Sequence, residues 1–335
     1  MCAYAPAAGR ISASAPVNSF EQATPEHHAW DRIALSFEVI PPRYGVEADV
    51  AKLDALLAEV EAYRPDYIAV TSSQRSGWLE GTTALIRYIT ETTRLRPLAH
   101  VACTTGPATE MVRGINELVD AGVRGILALR GDLPVGETSL PAGYLQHATD
   151  LIRVIRDVEK RQAARFAAGS VAVGVACYPS GHAESRSEDE DFDVLLAKQR
   201  LGADFAITQL FFEAEDYLNF VRKARLAGVT IPLIPGIMPM TSVSRLMRMG
   251  KLAGVKVPEH IIEELSVAAK FGPDVELETG LELSSRLARE VLAGGAGGLH
   301  VYTHNDAVVT KELLERSGVR PSRPIEAPSP FRHSA

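Results

Sequence analysis

Residues 125–132 read Gly-Ile-Leu-Ala-Leu-Arg-Gly-Asp, five uncharged residues followed abruptly by Arg130-Gly131-Asp132. A half-wet antiparallel strand alternates apolar and polar positions, whereas a run apolar on both faces fits a parallel strand covered on each side. Comparable runs stand at Ala34–Ile40, Tyr67–Thr71, Leu98–Cys103, Val171–Cys177, Phe205–Gln209, Ile231–Ile237 and Leu299–Thr303, making about eight in all. Between them the period changes to that of helices. Val50, Leu53, Leu56, Leu57 and Val60 recur at helical spacing, as do Leu151, Ile152, Ile155 and Val158. Pro107, Thr109 and Glu110 open another helix, and Gly122 stands just past its end at a C′ position. Strand–helix units with short connections imply right-handed crossovers, and eight of them predict an α/β fold, a closed (β/α)8 TIM barrel.

Over 60 residues separate the seventh and eighth runs, room for extra helices near 241–252, 257–271 and 278–294. An open doubly wound sheet is the alternative. It calls for a Gly-rich turn after the first strand, where this chain has Ile40-Pro-Pro-Arg43. Gly294-Gly-Ala-Gly-Gly298 follows a helix and precedes a strand, the wrong order for a phosphate loop, and reads as a flexible αβ connection. Residues 1–31, rich in Ala, Ser and Pro, are expected to form a disordered or loosely docked arm, 32–320 the barrel, and 321–335 a flexible tail.

Asp and Glu number 42 against 35 Lys and Arg, for a net charge of −7, which disfavours a grip on nucleic-acid phosphates. No apolar run is long enough to span a bilayer and no secretory signal is read, so no membrane partner is expected and a cytoplasmic location is. Three scattered cysteines give neither a disulfide framework nor a zinc pattern, and no metal site is expected.

In a (β/α)8 barrel the reactive groups lie at the carboxyl ends of the strands. Those ends are polar here: Glu38, Thr71-Ser-Ser73, His100, Arg130-Gly131-Asp132, Tyr178 to His182, Thr208-Gln209, and Tyr302-Thr-His304-Asn305. Strand alternation turns either Glu38 or its apolar neighbours inward. An inward carboxylate is expensive to bury ionised, so a raised pKa suited to a general acid is expected. The plainer reading is a rim carboxylate paired with an arginine. Gly131 would allow a ligand close to the backbone, and Asp132 either meets a polar ring edge or pairs with Arg130 to fix a loop. His100 alone reads more readily as a hydrogen-bonded core residue. The acidic stretch Ser187–Asp193 reads as a solvated helix start, with Asp191 and Lys198 two turns apart on one face.

The segments Ser36-Phe-Glu-Val-Ile-Pro-Pro-Arg43, Ala128-Leu-Arg-Gly-Asp-Leu-Pro134, Tyr178-Pro with His182 and Glu184, Ala206-Ile-Thr-Gln209 with Phe211-Phe212, and Ile234-Pro-Gly-Ile-Met-Pro239 resemble, in order and spacing, the methylenetetrahydrofolate reductase family. The resemblance covers about residues 33–320 and is to the bacterial-type catalytic barrel alone. It implies a TIM barrel that holds FAD at the strand ends and reduces 5,10-methylenetetrahydrofolate to 5-methyltetrahydrofolate with NADH or NADPH, in folate one-carbon metabolism and methionine supply. By position it implies Glu38 as the acid and Asp132 beside flavin and pterin. Gln209 and Tyr302 look like substrate-binding residues. Thr71, His100, Arg130, Gly131, Tyr178, His182, Asp191 and Lys198 look like FAD contacts, and a homo-oligomer is a family expectation. The chain departs from the family at Ser72-Ser73-Gln74, at Val194 and Ala197, and at Asp306, where an Arg that attracts the folate tail is usual. A flavin-independent reductase and a non-redox pterin-binding barrel such as a methyltransferase are the alternatives.

Overall fold

The computed structural model describes residues 33–72, 79–133, 136–167 and 169–322. The expected arm at 1–31 and most of the expected tail lie outside them. Ser322 is described, and its N–H donates to the Ala62 carbonyl at 3.0 Å.

Strands and helices alternate from the start: β1 (Ala34–Val39), α1 (Glu47–Glu61), β2 (Tyr67–Val70), α2 (Leu79–Thr92), β3 (Pro97–Ala102), α3 (Ala108–Asp120), β4 (Gly125–Leu129), α4 (Ala148–Arg161), β5 (Ala172–Cys177), α5 (Glu188–Arg200), β6 (Phe205–Thr208) and α6 (Ala214–Ala227). Then come β7 (Leu233–Ile234), β8 (Gly236–Ile237), α7 (Val243–Ala253), α8 (Glu259–Ala269), α9 (Pro273–Ala293), β9 (Gly298–Tyr302) and α10 (Ala307–Arg316). Every pairing is parallel, in the order β7-β6-β5-β4-β3-β2-β1-β9-β8. The expected seventh run is present as two halves. Pro235 has no N–H for the ladder, so the run leaves β6 after Ile234 and joins β9 from Gly236. The two ends of the ladder are therefore the two halves of one run, and a (β/α)8 TIM barrel closes through it.

Closure makes each strand's two faces different environments. Outward residues such as Phe37, Val39, Ile68 and Val70 join Leu53, Leu56, Leu57 and Val60 of α1 in the main core. Val50, which shares their spacing, is 42% exposed and lies outside it. Inward residues Ala69, Leu98, Leu127 and Ile207 form a second, small apolar cluster with Tyr67, Leu129 and Phe205 packed on it. The rings of Tyr67 and Phe205 meet across the lumen at 5.5 Å between centroids. The lumen is thus a packed plug, and what stands above it forms the floor of the upper mouth.

The helix ends follow local rules. Pro107 precedes α3, and Gly122 follows it at φ 101, where a side chain would be strained. Ser187 accepts the Glu190 N–H at 3.3 Å, so the acidic stretch is the first turn of α5. Gly294–Gly297 connects α9 to β9. Among the described residues no helix is long and apolar enough to cross a membrane.

Gly236 shows how tightly the seventh run is set. A Cβ there would lie 2.6 Å from the Tyr302 ring and 2.7 Å from the Thr208 carbonyl oxygen, one of them backbone that cannot rotate away. Gly236→Ala should cost about 1–3 kcal/mol by overpacking. Thermal unfolding measures it, and a variant as stable as the parent would show that the seventh run shifts freely.

Candidate active site

Ser36 and Glu38 share the inward face of β1, and β1 pairs with β9 so that Ser36 opposes His300 and Glu38 opposes Tyr302. On β3, His100 reaches the same layer. Glu38 Oε2 lies 3.8 Å from His100 Nε2 and 3.9 Å from His300 Nε2. His300 is held in turn through Nδ1, 2.9 Å from the Ser36 hydroxyl. The Glu38 side chain keeps 20% of its surface open to the mouth. Glu38 is therefore neither outward nor paired with an arginine: its titratable neighbours are imidazoles.

The expected raised pKa is not found. Burial raises the Glu38 carboxyl, but His300 directed at it, together with the charges of His100, His300 and His304, holds it below the ordinary glutamate value. His100 is itself pulled down to about 4, chiefly by burial and against the attraction of Glu38. His304 is pulled down to about 4 as well, first by burial and then by Arg245. Near pH 7 those two imidazoles are neutral and their charges no longer act on Glu38, which leaves the His300 contact to balance desolvation.

Around this centre the remaining strand ends form a polar ring. Tyr302 donates its hydroxyl to the Thr208 carbonyl at 2.7 Å, crossing over Gly236, and its ring meets that of His300 edge-on at 5.0 Å. Gln209 follows β6, and its Oε1 accepts the Leu210 N–H at 2.8 Å. After β4, Arg130 forms a two-pronged ion pair with Glu184, one arm at 2.7 Å, rather than with Asp132, which is exposed. Thr104 is the close neighbour of Gly131: a Cβ at φ 82 would stand 2.3 Å from its hydroxyl, so protein packing by itself already requires glycine here.

Tyr178 and His182 pack edge to face at 4.6 Å. Asp191 ties this β5–α5 loop, accepting from the His182 N–H at 3.0 Å and from the Ser185 hydroxyl at 2.5 Å. Lys198 is buried, donates to the Ala176 carbonyl at 2.9 Å, and has its pKa lowered by burial. Asp191 and Lys198 thus both have structural partners, although an ammonium has further protons to donate. Thr71 stands at the end of β2, where its carbonyl accepts the Thr82 hydroxyl at 2.9 Å. Asp306, at the family's arginine position, is the N-cap of α10: its Oδ1 accepts the Val309 N–H at 3.0 Å. Ser72 is described; Ser73 and Gln74 lie outside the described residues.

Ser36 and His300 carry no role in the sequence reading, yet they fix the carboxylate. The signal was period two: Ser36 with Glu38, and His300 with Tyr302, must share strand faces. Asn305, in the sequence one polar residue at a strand end, has a definite structural part. Its side chain accepts the Ile40 N–H at 2.9 Å and donates to the Ile40 carbonyl at 2.7 Å, pinning β1 to the last loop, where His304 and Asn305 adopt φ of 50 and 60.

Several buried polar atoms at this mouth have no hydrogen-bond partner among the described residues: Ser72 Oγ, His100 Nε2, Thr105 Oγ1 and His304 Nε2. Orphaned groups are costly, and their concentration at one mouth, beside Arg130 and Lys198, suits a ligand rich in acceptors and donors such as a flavin dinucleotide. The histidines also make acid stability a readout of the site. With a folded value near 4 against 6.5 unfolded, His100 binds fewer protons folded than unfolded, so stability is lost as pH falls from about 6.5 to about 4. The melting temperature should drop across that window, and less steeply in His100→Asn; equal slopes would assign the loss to other groups.

The family model described as methylenetetrahydrofolate reductase matches residues 24–318. Methylenetetrahydrofolate reductase 1 of Schizosaccharomyces pombe is 32% identical over 298 residues, covering 88% of this chain and 47% of its own length. The 5,10-methylenetetrahydrofolate reductase of Escherichia coli is 29% identical over 294 residues, covering 87% of this chain and 92% of its own length. The chain thus spans about half the length of the fission-yeast relative and nearly all of the bacterial one. Among solved structures, a Clostridium thermocellum protein described as binding two copies of 5-methyl-5,6,7,8-tetrahydrofolic acid superposes with a TM-score of 0.57 at 13% identity, over 85% of this chain and 93% of its own, a likeness of fold alone. With its family model matched along nearly the whole barrel, the chain belongs to the methylenetetrahydrofolate reductase family.

Proposed function

We propose that the chain reduces 5,10-methylenetetrahydrofolate to 5-methyltetrahydrofolate with NADH or NADPH through bound FAD. The observation that carries this reading is a carboxylate, Glu38, held between two histidines at the mouth of a barrel of this family. FAD, when bound, supplies the relay of hydride from nicotinamide to folate. Thr71, His100, Arg130, Tyr178, His182 and Lys198 ring the mouth with donors and one or two positive charges for it. Asp132, exposed and with no ion pair to Arg130, would meet a polar ring edge in this reading.

Opening the bridging methylene to an iminium requires a proton on the departing nitrogen, and Glu38 is the group to bring it. The free carboxyl sits low, which is the wrong state for an acid at neutral pH. A pterin laid across the mouth covers the exposed fifth of the side chain. His100 is by then neutral, so added desolvation is unopposed by its charge and moves the carboxyl upward. Ser36 holds His300, and His300 holds the carboxylate in place for this transfer. Gln209 and Tyr302 bound the same space.

Glu38→Gln keeps the shape and removes the proton. Reduction by NAD(P)H should be unchanged while the folate step falls by roughly 10²–10⁴-fold, the usual contribution of a positioned acid. Stopped-flow traces with a normal folate step would refute the assignment.

A second reading, hydride passing directly from nicotinamide to folate without flavin, draws on one observation: Asp191 and Lys198 are both engaged by the protein's own groups. The purified protein should nevertheless show a visible flavin spectrum, and Lys198→Met should weaken flavin retention. A colourless protein that oxidises NADH only when methylenetetrahydrofolate is added would favour the second reading.

A further inference from the structure

At the opposite end of the barrel from Glu38, the starts of β1 to β3 and the chain after α10 enclose a cavity of about 940 Å³, a size typical of small-molecule sites. Its lining includes four arginines from three separate connections: Arg64 before β2, Arg94 and Arg96 before β3, and Arg320 after α10. Elsewhere on this protein arginines are commonly tied to acids, as Arg156 is to Asp204 at 2.8 Å and Arg316 to Glu278 at 2.6 Å. These four have no ion pair among the described residues. The two carboxylates that share the wall are occupied with backbone: Glu61 Oε1 accepts the Arg94 N–H at 3.1 Å and Asp66 Oδ2 accepts the Leu35 N–H at 3.0 Å. Among the described residues, four arginines therefore share this lining with two carboxylates.

A second observation is independent of charge. Tyr63 lines the same cavity, is only 4% exposed, and its buried hydroxyl has no hydrogen-bond partner among the described residues. Burial, with Glu315 and Glu59 nearby and Arg320 opposing them, pushes its pKa up to about 12, so it stands as a proton donor awaiting an acceptor. Arg64 holds its place at φ 49, a conformation rare for residues other than glycine, with its N–H on the Glu61 carbonyl at 3.1 Å.

We infer that this floor is a second ligand site, separate from the active mouth, that takes a small phosphorylated molecule on the Arg64, Arg94, Arg96 and Arg320 guanidinia and the Tyr63 hydroxyl. Guanidinium forks match phosphate oxygens in pairs, and phosphate accepts hydrogen bonds from every donor present. A single carboxylate would leave the wall's excess charge unmatched, whereas a phosphate dianion balances it. Ile33, Leu35, Leu95 and Val319 give the cavity an apolar side for a ligand body such as a nucleoside.

The test uses the full chain, because Ile33 and Ser322, which bound the described core, both line the cavity. Calorimetric titration with inorganic pyrophosphate, and separately with ATP, should show saturable binding. Arg96→Glu with Arg320→Glu should weaken both at least tenfold, and Tyr63→Phe several-fold. The arginines are exposed, so the double variant should fold, with far-UV circular dichroism as the check and Arg96→Gln with Arg320→Gln as the milder pair. Reductase activity should stay at the parent level, which separates this site from the mouth. ATP binding tighter than pyrophosphate identifies a nucleotide as the ligand type, and equal affinities identify the phosphate alone; either supports the site. No binding to the parent, or equal binding by parent and arginine variants, overturns it.

Discussion

A carboxylate on the inward face of a closed parallel barrel cannot reach bulk water sideways, because both neighbouring strands and the apolar plug beneath it shut out solvent. Glu38 occupies that place, and much of the upper barrel is arranged around keeping it there. An ionised group so placed must find partners within the lumen or give up its charge. The partners are His100, from β3 two strands away, and His300, from the adjoining β9, with Ser36 fixing the second of them. Arginine would neutralise the charge permanently. Imidazole leaves the proton negotiable, as the acid role proposed for Glu38 requires.

The barrel's closure depends on a related economy of space. The seventh run is broken by Pro235 and lacks a side chain at Gly236, so the Tyr302 ring can lie over it and hand its hydroxyl to the Thr208 carbonyl. That bond ties β9 to β6 across the gap between the two half-strands. Thr208 serves twice, since its hydroxyl accepts the Gly236 N–H at 2.9 Å. Tyr302 is consequently a structural strut as well as a wall of the candidate substrate site.

The two ends of the barrel differ in chemistry. The mouth holds imidazoles, a carboxylate, and cations already engaged by Glu184 and the Ala176 carbonyl. The floor is lined by arginines that have no ion pair, and by a tyrosine hydroxyl that has no hydrogen-bond partner, among the described residues. The apolar cluster of Ala69, Leu98, Leu127 and Ile207 separates them, so charge at one end is poorly felt at the other except through the strands themselves.

What the sequence by itself determined is what local pattern controls. Runs apolar on both faces announced parallel strands, helical periods placed the helices, including the three between the last runs, and strand-end motifs identified the family, because backbone geometry repeats every two or 3.6 residues whatever lies elsewhere in the chain. Glu38, His100, Gln209 and Tyr302 could be named because they lie in or just after such runs and match the family's motifs. Only the tertiary structure decided how they act on one another. The direction of the Glu38 pKa shift depends on imidazoles 62 and 262 positions away, Arg130 chose Glu184 over its neighbour Asp132, Gly131 answers to Thr104, and Asp306 turned out to cap a helix. Electrostatic coupling acts through space over a few ångströms, and only closure of the barrel brings residues so distant in sequence within that range.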